Sequence, residues 1–188
     1  MVANSSNVSA AKPKVGGAIY SAPVGSKLPT DATTVLDVAF KSLGYISKNG
    51  LANEDKRESE DITAWGGDVV ASAQKGKSDT FKYTLIETLN IEVLKEVYGQ
   101  GNVTGDLSSG ITVKSNSKDL PERSYVVEMI MKNGVIKRIV VPKAKISEVG
   151  EIKYVDDDVA GYETTLKAFT DANGDTHIEY IKGGEATR

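Results

Sequence analysis

The sequence predicts a mainly β fold, a β-sandwich or rolled two-sheet arrangement, with one flanking α-helix. Three observations carry that expectation. Short β-branched runs alternate in polarity and are punctuated by Gly, Pro and Asn-Gly turn signals. Tyr125 to Val141 (YVVEMIMKNGVIKRIVV) is two apolar runs joined by Asn133-Gly134, a dipeptide that tolerates φ > 0 at both central positions of a type I′ turn. Only Asn90 to Tyr98 has convincing helical spacing.

Taken in order, residues 1–14 are small and polar and read as an extended arm. Residues 15–182 read as a single β domain, and 183–188 as a C-terminal tail. Gly16–Tyr20 reads as a first strand. Ser21–Thr34, with Pro23, Gly25 and Pro29, reads as loop. Leu43–Ser47 is a strand ended by Asn49-Gly50. The charge run Asn53–Asp61 (NEDKRESED) reads as a solvated loop, or in a sharper reading as a charged loop reaching a neighbour. Ile62–Gln74 contains Trp65-Gly66-Gly67-Asp68 and reads as a strand bent at the glycines. Phe81, Tyr83 and Leu85 alternate with Lys82 and Thr84, the pattern of a half-buried strand. Asn90 caps the helix, Gly99 ends it, and the stripe Ile91, Leu94 and Val97 or Tyr98 should pack on a sheet. Ile111–Val113 is a short strand and Ser115–Glu122 a loop.

A two-residue turn at Asn133-Gly134 pairs Lys132 with Val135. Met131 then faces Ile136, Met129 faces Arg138 and Val127 faces Val140 on an apolar, core-facing side. Ile130 faces Lys137 and Glu128 faces Ile139 on a mixed side, expected to meet water or a neighbouring subunit. Such pairs stabilise a ribbon by roughly 0.2–1 kcal/mol each, and an isolated hairpin is marginal, so a sheet must surround it. Pro142 should end the second strand. Lys143–Val149, Glu151–Val155 and Asp156-Asp157-Asp158 follow. In Gly161–Phe169, Tyr162, Thr164, Leu166 and Ala168 share one face. A turn at Asp171–Asp175 then leads to Thr176–Lys182.

Composition narrows the function. Of 188 residues, 39% are hydrophobic and 6% aromatic, a lean core for one domain. A net charge of −3 suits a surface that DNA slides past better than one that grips phosphates with Lys and Arg. With no Cys, disulfides and thiolate metal sites are excluded. The start shows no apolar signal-peptide core, and no run approaches the roughly 18 apolar residues of a membrane helix, so assembly in cytoplasm without a membrane partner is expected.

Candidate chemistry is sparse. Asp171-Ala172-Asn173-Gly174-Asp175 has the D-x-N-x-D start of a calcium loop, but the sixth position is Thr176 and the twelfth Lys182, where Gly and a bidentate Glu belong. A hairpin turn explains the same residues. Asp156-Asp157-Asp158 reads as a solvated turn, because adjacent carboxylates point different ways. His177, the sole histidine, is expected on the polar face of its strand, with no nucleophile-elbow pattern beside it. Gly66-Gly67 lacks the Lys-Ser/Thr of a phosphate loop. No catalytic, cofactor or metal site is expected, which favours a structural protein. The alternative, a β-sandwich binding or adhesion module, would need an exposed aromatic platform, for which Trp65 and a few Tyr are the available residues.

Several stretches, in order, resemble the major tail protein (tail tube protein) of phages with long, flexible, non-contractile tails, the siphoviruses. They are Asn7–Tyr20, Leu28–Thr33, Leu43–Gly50, Thr63–Asp68, Asp79–Val103, Lys132–Pro142, Glu148–Tyr154 and Gly161–Leu166. The resemblance implies a non-enzymatic virion protein with two packed β-sheets and a flanking helix. It implies hexameric rings stacked into a hollow tube that holds the tape-measure protein and later conducts genomic DNA during ejection. Tail-tip and tail-terminator proteins are the further partners it implies. Loops and terminal arms would bridge rings, a role that falls here to residues 1–14 and Asn53–Asp61, with the Tyr125–Val141 hairpin near the lumen. Many relatives add an immunoglobulin-like C-terminal domain, for which a chain ending at Arg188 is expected to have no room.

Overall fold

The Asn133-Gly134 turn forms with both residues at positive φ (58° and 72°), but the hairpin it closes is one residue out of the expected register. In a computed structural model, which describes residues 3–14 and 17–183, the hairpin strands are β8 (Arg123–Ile130) and β9 (Ile136–Val149). Lys132 is squeezed out of the ladder. Met131 N–H donates to Val135 O (2.7 Å), while Lys132 N–H donates to Ser9 Oγ (2.6 Å) in the N-terminal segment. Ile130 therefore pairs with Ile136, Glu128 with Arg138, Val127 with Ile139 and Tyr125 with Val141. A one-residue slip exchanges faces relative to the partner strand. Here it sets opposite charges across from each other, and it puts Tyr125, Val127, Ile139 and Val141 on one face and Val126 and Val140 on the other. Around Val126 and Val140 the second face is buried within the chain instead of meeting water. Phe40, Leu28 and Leu36 of the chain's own 28–40 segment cover it. Each Val or Ile fully buried in this way contributes about 1.5–3 kcal/mol.

The remaining strands are β1 (Lys12–Pro13), β2 (Ile19–Pro23), β3 (Lys41–Ser42), β4 (Ile46–Thr63), β5 (Val69–Leu85), β6 (Val103–Thr104), β7 (Thr112–Val113), β10 (Tyr162–Ala168) and β11 (Ile178–Lys182). Nine form one antiparallel sheet in the order β3-β2-β8-β9-β10-β5-β4, with β1 beside β8 and β11 beside β9. β6 and β7 make a separate ribbon. The mainly β fold with one α-helix is as expected. Inward residues of β5, β8, β9 and β10 (among them Phe81, Tyr83, Tyr125, Ile146 and Leu166) gather into one core with the helix.

Pro142 does not end its strand. β9 runs through it, because the β8 register breaks between Arg123 and Tyr125 at that level. On its other side, β10 pairs with residues 144–149 and β11 with residues 136–140. The missing N–H falls in both gaps, and Ser124 Oγ donates to the Pro142 carbonyl (2.7 Å). β10 and β11 lie end to end along β9, so the Asp171–Asp175 turn between them is an excursion and not a hairpin.

The helix, α1, spans Ile91–Tyr98. Asn90 caps it by accepting from Glu92 N–H (3.0 Å), and Gly99 closes it at φ 94°. Val93, Leu94 and Val97 are buried, and so is Glu96. That carboxylate accepts from Ser21 Oγ (2.7 Å) and Tyr125 Oη (2.5 Å), and pairs with Arg123 Nε (3.0 Å). Donors from β2 and β8 thus pin the helix to the sheet and offset the cost of burying its charge. Burial, reinforced by Glu96, pushes the Tyr125 hydroxyl well above its ordinary pKa, so it stays a donor. The Tyr83 hydroxyl is also buried but has no hydrogen-bond partner among the described residues. Tyr83→Phe is therefore expected to leave stability unchanged or raise it by up to about 1 kcal/mol, read from the urea midpoint.

Candidate assembly surface

β4 and β5 form a long hairpin arm. The charge run Asn53–Asp61 lies inside its first strand, and not in a loop as expected. The expected bend at Gly66-Gly67 is the arm's tip: Ala64 N–H donates to Asp68 O (2.8 Å) and Gly67 N–H to Ala64 O (3.0 Å). From Ala52 to Thr63 every residue is exposed, as is every residue from Val69 to Lys75. At about 3.3 Å per residue this exposed stretch of β4 extends about 40 Å. Cross-strand charges run along it. Lys77 Nζ sits 3.3 Å from Asp55 Oδ2, and Lys75 pairs with Glu60. Such solvated pairs contribute little, and a two-stranded ribbon is marginal by itself. Among the described residues no strand borders the outer edge of β4, leaving a row of backbone groups open to another chain.

The arm is held at its root by a buried carboxylate. Asp79 accepts from Thr176 Oγ1 (2.6 Å) and Asn53 Nδ2 (2.7 Å) and meets His177 Nδ1 at 2.5 Å. Lys77 Nζ donates to Thr176 Oγ1 (3.1 Å), which ties the arm to the segment leading into β11. His177 is thus not on a polar outer face. It is mostly buried, edge-on to Phe81 at 5.4 Å between ring centroids. Burial pushes the Asp79 carboxyl up, but the bonds from Thr176, His177 and Asn53 together outweigh it and hold the pKa below the ordinary value. A carboxyl so lowered stabilises the fold above its unfolded pKa of about 3.9, and that contribution is lost as pH falls through the lower folded value. Asp79→Asn is expected to cost about 1.5–3 kcal/mol at pH 6 and less at pH 3, measured as urea unfolding at the two pH values. An equal cost at both would contradict it. Asp79 was legible as an inward position, two residues before Phe81 in the alternating strand, but its partners Thr176 and His177 lie about a hundred residues away.

The N-terminal segment is anchored beside β8. Lys12 and Pro13 pair with Ile130 and Met129, and Lys14 Nζ reaches Glu128 Oε2 (2.9 Å). Glu128 also pairs with Arg138, whose Nη1 donates to the carbonyls of Asp31 and Thr34 (2.8 Å each). One buried ion pair thereby fastens both the N-terminal segment and the 28–40 segment to the hairpin.

The remaining candidates resolve locally. Asp171 Oδ1 accepts from the N–H groups of Asn173 (2.8 Å) and Asp175 (3.0 Å), so its carboxylate organises its own turn. Asp156, Asp157 and Asp158 are exposed, and Asp158 Oδ1 accepts from Val159 N–H (2.8 Å). Among the described residues no group of three His, Asp or Glu converges as a metal site. Trp65, expected within a strand, stands fully exposed at the arm tip. Among the described residues no helix is long and apolar enough to cross a membrane. Residues 1–186 match a family model described as phage tail tube protein. No curated protein matches the chain.

Proposed function

The chain belongs to the phage tail tube protein family, whose members are structural and not enzymes, and from that premise we propose that it forms stacked hexameric rings making the hollow tube of a long non-contractile tail. It is a virion tail component that assembles into a tube with other tail proteins. In the proposed state the lumen holds the tape-measure protein and later passes genomic DNA, and tail-tip and tail-terminator proteins bound the two ends. Assembly takes place in the host cytoplasm.

The observation that carries this reading is the β4–β5 arm. It is a polar ribbon with an open edge, which a single chain cannot use, and a ring of copies converts such edges into contacts. A ribbon polar on both faces also suits a wall with water on one side. The charge run Asn53–Asp61 and residues 1–14 serve the contacts between rings, and the Tyr125–Val141 hairpin belongs to the sheet system of the tube wall.

Sedimentation of the purified protein across concentrations, with and without tail-tip complexes as seeds, tests the proposal. Species of six copies and multiples of six are expected, and a strict monomer under both conditions would contradict it. The N-terminal contribution has its own test. Deleting residues 1–8 leaves Ser9 and Lys14 on the hairpin, so the monomer should keep its urea midpoint while tubes become shorter and less heat-stable. Unchanged tube length and stability would remove residues 1–8 from the ring contacts.

A further inference from the structure

The arm changes character at its end. Along the ribbon, β4 carries charges of both signs (Glu54, Lys56, Arg57, Glu58 and Glu60) and β5 carries Lys75 and Lys77. At the tip, Ile62, Trp65, Val69 and Val70 fall within nine residues about the Gly66-Gly67 turn, each at least half exposed and Trp65 entirely so. Single exposed apolar residues are ordinary, but four at the end of one arm, an aromatic among them, mark a contact site. The two glycines have φ of 116° and 96°, a conformation that L side chains rarely adopt, so the turn that presents the indole depends on them.

We propose that Trp65, with Ile62, Val69 and Val70, is the anchor by which the arm of one copy seats on a second copy of this chain, the indole passing from water into a dry contact on assembly. The inference rests on the tube reading and adds what the arm's tip does in it. Three observations select a second copy as the occupant. The tip stands at the end of about 40 Å of exposed ribbon, out of reach of its own body. The ribbon behind it carries interspersed opposite charges, so identical arms are complementary to one another and to the surfaces between them. Asp61 precedes these residues and Asp68 lies among them, which sets carboxylates against an anionic lipid surface.

Trp65 is the only tryptophan in the chain, so intrinsic fluorescence reads the tip without a label. As the full-length protein assembles, emission should shift to shorter wavelength and acrylamide quenching should fall severalfold. Trp65→Ala should leave the monomer's circular dichroism and melting temperature unchanged, because the side chain is fully exposed in it. It should raise the concentration needed for assembly at least about tenfold, and Trp65→Phe should recover part of the loss. Tubes in which Trp65 stays as quenchable as in the monomer would overturn the anchor while leaving the tube reading intact. No tubes from wild-type protein, even with tail-tip seeds, would overturn both. A blue shift of the monomer on phosphatidylglycerol vesicles, without one on assembly, would assign the tip to lipid and overturn the proposal.

Discussion

Replacing residues 56–78 by Asn-Gly, so that Asp55 turns directly into Asp79, is expected to give a protein that folds as a monomer and forms no tubes. The excised ribbon has no buried apolar residue and pairs only with itself. What remains keeps Leu51, Phe81, Tyr83 and Leu85 in the core and Asn53 on Asp79, and the inserted dipeptide suits a two-residue hairpin between paired residues. The bond from Lys77 to Thr176 is lost, at a cost of about 1 kcal/mol. Melting should therefore change by only a few degrees, while electron microscopy of concentrated samples should show no polymer. Loss of the fold would mean the arm is part of the domain's core, and normal tubes would mean it is not the assembly element.

Arg138→Met is expected to destabilise the monomer by about 3–5 kcal/mol, a large part of the usual 5–15 kcal/mol for a domain. Arg138 is 1% exposed. Removing its guanidinium leaves Glu128 as a buried carboxylate with, among the described residues, Lys14 as its remaining ion-pair partner, and frees the carbonyls of Asp31 and Thr34 from their donor. Urea unfolding measures the loss. The pair Arg138→Met with Glu128→Leu should recover much of it, since replacing both charges by apolar groups removes the unpaired carboxylate. If the double variant is no more stable than Arg138→Met alone, the cost lies in the 28–40 segment and not in the uncompensated charge.

Where a segment has one apolar face, its structure was legible in the sequence. The helix from Ile91 to Tyr98 with its Asn90 cap, the alternating strand through Phe81, Tyr83 and Leu85, and the one through Tyr162, Leu166 and Ala168 all follow from period and punctuation. The arm was not legible, because Asn53–Asp61 is polar on both faces and a strand without a buried face leaves no period-two signal. The hairpin register was missed for a different reason. The turn dipeptide alone dictates the two-residue form, but Ser9, 123 residues away in sequence, takes the Lys132 N–H and stabilises the bulge. The cross-strand attraction of Glu128 for Arg138 was the local hint of that register. The polar anchors Glu96 and Asp79 fall at inward positions of otherwise apolar patterns, where a charged residue signals a partner that only the fold identifies. The assembly surface was legible mainly as what the chain cannot bury alone.

The most direct test of an arm-mediated tube is electron cryomicroscopy of the polymerised protein at a resolution that traces strands. A hollow tube of stacked rings is expected, with each β4–β5 arm lying against a neighbouring copy and Trp65 enclosed at that contact. A polymer without a lumen, or a tube whose arms project free into solvent, would contradict it.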